Sequence, residues 1–137
     1  MRTKPGQLEF RYRDSSLPAS SIVLSAIFNC PIGEIDDERL GKSLNRKQSQ
    51  PLAQRSFGST FKNPPGDFAA RLIEECGLKG TRVGGAMISE KHANFIVNVG
   101  KDTTARDVED LIRLIMERIR DEYEVNLQPE VIIIGNR

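Results

Sequence analysis

A chain of 137 residues has room for one domain with a true core or for two very small ones. With 38% hydrophobic and 28% charged residues it has an ordinary globular composition, which excludes a disordered tail and a membrane-embedded chain. Twenty Lys and Arg against nineteen Asp and Glu leave a net charge of +1, which argues against nucleic-acid binding through one basic face.

Met1 to Gly6 has no apolar stretch behind it, and no apolar run approaches the roughly 20 residues of a membrane span. Both point to a cytoplasmic chain. Cys30 and Cys76 are too few and too far apart for a disulfide framework or a zinc site, and they read as reduced, packed thiols.

Leu8, Phe10 and Tyr12 alternate with polar residues as in a strand. Ile22 to Phe28 is a second, β-rich run that ends at Pro31 and Gly33. Asp36 to Lys47 suits a short charged helix with little apolar face. Gln48 to Pro65 is rich in Ser, Gln, Gly, Asn and Pro, and reads as an ordered loop that hinges two parts of the chain.

Asp67 can then cap a helix in which Ala69, Leu72, Ile73 and Cys76 fall at i, i+3, i+4 and i+7, with Gly77 as its stop. Arg82 to Ser89 and Asn94 to Val99 read as two strands. Thr104-x-x-Asp107 is a capping-box variant that opens the longest helix, where Val108, Leu111, Ile112, Ile115 and Ile119 form one stripe. Val131 to Gly135 is a continuous apolar run of the kind found in a strand covered on both faces. Interleaved helices and strands predict an α+β fold with a mixed or antiparallel sheet.

Candidate chemistry is sparse. His92 is the single histidine, placed for a turn or for direct chemistry, and no spacing supports a metal site. Gly58 to Pro64 is the densest polar cluster, offering Ser59, Lys62 and Asn63 as short donors and a cation, or else forming a structural turn. Gly84-Gly85 suits either a phosphate-approaching loop or a bulge at a close strand crossing. Arg13 could fix a carboxylate or phosphate, or pair with Asp14 at a surface turn. Glu130, at the mouth of the closing apolar run, suits proton handling if desolvated there, or a charge turned to water if not.

Taken in order, several blocks resemble the MurB family, the flavin-dependent UDP-N-acetylenolpyruvoylglucosamine reductases of peptidoglycan synthesis. They are Tyr12-Arg13-Asp14-Ser15-Ser16, Gly58-Ser59-Thr60-Phe61-Lys62-Asn63-Pro64, Ala70 to Glu74, Gly77 to Gly80, Gly84-Gly85-Ala86, Ser89 to Asn98 and Pro129-Glu130-Val131. The resemblance runs from about Leu8 to Gly135. It implies reduction of UDP-N-acetylglucosamine enolpyruvate to UDP-N-acetylmuramate with FAD and NADPH. Ser59 would donate a proton, while Arg13 and Glu130 stabilise the enolate-like intermediate. Tyr12, Lys62, Asn63 and His92 would contact substrate, and Gly84 and Gly85 are the candidates for cofactor contact.

The resemblance begins in the back half of the family's flavin-binding region. It thus makes residues 1 to 47 the tail of that domain and residues 48 to 137 the substrate-binding domain. A chain of this extent is expected to hold no flavin tightly and to be inactive alone. It would either pair with a separate flavin-domain chain, as half of a split enzyme, or associate with itself. The competing reading is a binding module that kept the UDP-sugar pocket and lost catalysis. The short interval between the Tyr-Arg and Gly-Ser blocks is similar to the shorter subtype of the family. Phe57 and Ile132 depart from the small and basic residues usual at their positions.

Overall fold

The computed structural model describes residue 4 and residues 6–11, 14–18, 20–30, 32–33 and 36–135. It divides into two compact units, Met1–Glu34 and Ile35–Arg137.

In the first unit, β1 (Phe10–Arg11) and β2 (Asp14–Ser15) pair antiparallel, with Phe10 opposite Ser15. Tyr12, the third member of the expected alternation, lies outside the described residues. The run Ile22 to Phe28 forms no strand, contrary to its composition, and Ile22, Leu24 and Phe28 are exposed. No described segment takes up its backbone groups, and an unpaired strand gains nothing from β-propensity. Cys30 is exposed as well, which corrects the expectation of a packed thiol.

The second unit opens with α1 (Asp37–Ser49), capped by Asp36, whose side chain accepts the Arg39 N–H at 2.9 Å. It buries none of its own residues, as its charged sequence implies. Lys91 Nζ donates to the Lys47 carbonyl at 3.0 Å and ties its end to the rest of the unit.

The sheet is built from β3 (Ser56–Ser59), β4 (Arg82–Val83), β5 (Ala86–Ile88) and β6 (Phe95–Asn98), in the order β3-β6-β5-β4, all antiparallel. Two expectations are corrected here. β3 lies inside the segment read as a loop, because its pairing with β6 supplies what its polar composition hides. The single strand expected over 82–89 is a hairpin that turns at Gly84-Gly85. That turn needs glycine, since a Cβ on Gly85 would sit 2.0 Å from Thr103 Oγ1.

Two helices complete the layer. α2 (Ala69–Glu75) ends as predicted at Gly77, where the Gly77 and Leu78 N–H groups close onto the Glu74 and Ile73 carbonyls. Its start differs. Asn63 Oδ1, and not Asp67, accepts the Ala69 N–H, at 3.1 Å. Asp67 instead accepts the Phe68 N–H and pairs with Arg71.

α3 (Ala105–Tyr123) begins with the expected capping box, Thr104 and Asp107 each accepting the other's N–H. Its stripe of Leu111, Ile112, Ile115 and Ile119 is buried with Phe61, Leu72, Ile73, Ile88 and Ile96 in one core. Each such side chain contributes about 1.5–3 kcal/mol of apolar burial.

The closing run Val131 to Gly135 is not a covered strand, and Ile132 and Ile134 stand open to water. Pairing ends just before it, where Pro129 opposes Phe61 and the Glu130 N–H meets the Thr60 carbonyl. No helix among the described residues is long and apolar enough to cross a membrane.

Candidate active site

Ser59 owes its placement to an irregular strand. Ser56 faces Val97 and Ser59 faces Phe95, so three steps along β3 match two along β6. The surplus residue is taken up as a bulge, and Gly58, at φ +88°, supplies the left-handed backbone it needs. Ser59 and Phe57 line a cleft of about 700 Å3. Its opposite wall is α3, through Val108, Glu109 and Ile112, and its rim is Glu130 with the apolar residues that follow.

Glu130 reaches that cleft through backbone pairing with the segment after Ser59. Its N–H donates to the Thr60 carbonyl at 2.8 Å, and the Lys62 N–H donates to the Gln128 carbonyl at 2.9 Å. Ser59 and Glu130, 71 positions apart in sequence, therefore stand on paired segments of one cleft. Glu109 adds a second carboxylate that sequence reasoning missed. The available signal was its place beside Val108 and three residues before Ile112, at the margin of the α3 stripe.

The remaining candidates are more scattered. Tyr12 and Arg13 lie outside the described residues. Lys62 and Asn63 are exposed just beyond Ser59, Asn63 with its Oδ1 engaged by α2. His92 sits in the β5–β6 connection, where Nδ1 accepts the Asn94 N–H at 3.2 Å and the ring meets Phe95 edge-on at 4.8 Å. Burial pushes its pKa below the usual imidazole value, and the Lys79 charge pushes the same way. A neutral ring with Nδ1 accepting carries its proton on Nε2, as a donor.

Gly84 and Gly85 are spoken for by the protein itself. Asp107 Oδ2 accepts the Gly85 N–H at 3.2 Å, and a Cβ on Gly84 would meet the Asp107 carboxylate at 2.4 Å. Among the described residues no cluster of three or more His, Cys, Asp or Glu could hold a metal ion. The cleft thus offers a hydroxyl and two carboxylates against an apolar wall. That set can hold a partly apolar ligand and hand it a proton.

The comparisons with known proteins point one way. Residues 50–134 match the family model described as UDP-N-acetylenolpyruvoylglucosamine reductase, C-terminal domain. The chain is 44% identical over 131 residues to the UDP-N-acetylenolpyruvoylglucosamine reductase of Anaeromyxobacter sp. (strain Fw109-5), covering 93% of this chain and 41% of the relative. It is 55% identical over 106 residues to the enzyme of that name from Thiobacillus denitrificans, covering 77% and 32%. The crystal structure of the reductase (MurB) from Thermus caldophilus superposes with a TM-score of 0.55 at 47% identity, over 68% of this chain and 32% of that one. The chain spans less than half the length of these relatives. With the Ser59 and Glu130 blocks both inside the matched span, the chain belongs to the UDP-N-acetylenolpyruvoylglucosamine reductase family, as its C-terminal domain.

Proposed function

We propose that the chain is the substrate-binding portion of a UDP-N-acetylmuramate dehydrogenase, a cytoplasmic enzyme of peptidoglycan synthesis that reduces UDP-N-acetylglucosamine enolpyruvate with FAD and NADPH. The observation that carries this reading is the meeting of Ser59 and Glu130 in one cleft of a chain of this family. Residues 48 to 137 hold the substrate, and residues 1 to 47 are the tail of a flavin-binding domain.

In this reading the Ser59 Oγ gives a proton to the enol ether carbon next to the one that is reduced. Glu130 in the cleft, with Arg13, steadies the negative charge that builds toward the substrate carboxylate before that proton arrives and discharges it. Lys62, His92 through Nε2, Asn63 and Tyr12 grip the nucleotide sugar. The Gly84-Gly85 turn does not fit the pyrophosphate of FAD, since Asp107 takes its N–H and fills the space above it. The flavin is accordingly assigned to a flavin-binding domain, in the same chain or a second one, and turnover requires that domain. No step of this chain's own chemistry is routed through the glycine pair.

Calorimetric titration of the purified chain with UDP-N-acetylglucosamine enolpyruvate, against UDP-N-acetylglucosamine, tests the reading. Saturable binding that favours the enolpyruvyl compound is expected. No binding of either nucleotide by a chain that unfolds cooperatively would overturn it.

A further inference from the structure

Ser59 and Glu130 stand in register only if the three residues after Ser59 are held, and among the described residues the hydrogen bonds that hold them come from elsewhere than their own side chains. Thr60 is buried, and among the described residues its Oγ1 has no hydrogen-bond partner. Phe61 fills the core with an apolar ring. The anchor is Asn94, itself only 4% exposed. Its Oδ1 accepts the Phe61 N–H at 2.9 Å, and its Nδ2 donates to the Phe61 carbonyl at 2.8 Å. Its backbone carbonyl accepts the Thr60 N–H at 2.8 Å, and its own N–H goes to His92 Nδ1.

A primary amide presents an acceptor and a donor side by side, as a peptide edge does. The Asn94 side chain therefore stands in for the strand that β6, starting at Phe95, has not yet begun. The bonds fall on one place. Phe61 is two residues beyond Ser59, and Thr60 beside it carries the carbonyl that holds the Glu130 N–H.

We propose that Asn94 is a positioning residue for this site: its side-chain amide locks the Thr60–Lys62 segment and so fixes Ser59 and Glu130 relative to each other across the cleft. This rests on the roles given to Ser59 and Glu130 above. An alanine there would leave both backbone groups of buried Phe61 unpaired, while the capping box of α3 does not involve Asn94.

The test is amide hydrogen exchange combined with calorimetry on the full chain carrying Asn94→Ala. Exchange at the Lys62 and Glu130 amides should quicken by about tenfold or more while the α3 interior, at Ile115, is unchanged. Binding of UDP-N-acetylglucosamine enolpyruvate should weaken by about tenfold. That loss should shrink in a Glu130→Gln background, because Asn94 acts through Glu130. Exchange that rises equally along α3, or binding that is unaffected, would overturn the proposal.

Should Asn94→Ala fail to fold, Asn94→Asp decides. A carboxylate opposes the Phe61 carbonyl, whereas a protonated carboxyl both accepts and donates. Protection of the Glu130 amide should then return on acidification, and its failure to return counts against the role. If the unaltered chain binds neither nucleotide, the proposed function fails, while the exchange measurement still settles what Asn94 holds.

Discussion

Phe95 to Val97 and Ile132 to Ile134 are alike as sequence, short apolar runs of good strand formers, and opposite as structure. The first three residues are 5%, 2% and 0% exposed, and the second three are 82%, 58% and 80% exposed. Phe95 to Val97 has β3 on one side and β5 on the other. Ile132 to Ile134 has no strand partner among the described residues. The run Ile22 to Phe28 repeats the lesson in the other unit. Burial belongs to the pairing and not to the run, because a strand's backbone groups are satisfied only by a neighbour.

Substitutions can break that contrast. Phe61→Ala should cost about 3–5 kcal/mol in urea unfolding, since Phe61 is 1% exposed and touches the shared core. Ile133→Ala should stay within about 0.5 kcal/mol. Similar costs at the two positions would mean that the closing run is packed in solution.

A smaller effect, of opposite sign, is expected at Thr60. Thr60→Val keeps the shape and removes a buried hydroxyl that has no partner among the described residues, so stability should be unchanged or rise by up to about 1 kcal/mol by the same measurement. A clear loss would show that the hydroxyl is satisfied.

The smallest effect belongs to the surface of α2. The Arg71 guanidinium, followed by the Phe68 N–H, holds the Asp67 carboxyl down from 3.8 to about 2. A depressed carboxylate adds stability that is complete above the unfolded value and is lost as pH falls from about 4 toward 2. Thermal unfolding between those limits should show a slope that Asp67→Asn flattens. Because the pair is at the surface, the slope should be shallow.

How far the sequence could be read follows from the range of each signal. α3 was legible because its capping box and its stripe of Leu111, Ile112, Ile115 and Ile119 lie in one unbroken segment from Thr104 to Ile119. The end of α2 at Gly77 was legible for the same reason. Its start was not, since Asn63 reaches it from six residues away and Asp67 had the more obvious side chain. β3 was missed because Ser56, Gly58 and Ser59 carry no strand composition, and only the partner β6 makes them one. Ser59 and Glu130 stood out by their surroundings, a polar cluster and the mouth of an apolar run, and resemblance to a family gave them their roles. Glu109 and Asn94 did not stand out, because one reaches the cleft from a helix flank and the other through a backbone it does not adjoin in sequence.

The bulge at Gly58 has a further consequence, for the lengths that this segment can take. Partners across an antiparallel pair share a face, so Ser56 and Ser59, opposite Val97 and Phe95, lie on the same face although they are three positions apart, an odd spacing that only the bulge allows. A one-residue deletion between them would erase the bulge and leave Ser59 opposite Phe95 on the same face, whereas an insertion would need a wider irregularity to keep it there. The left-handed backbone at Gly58 is thus tied to the surplus residue, and a chain one residue shorter here would have no need of glycine at that position.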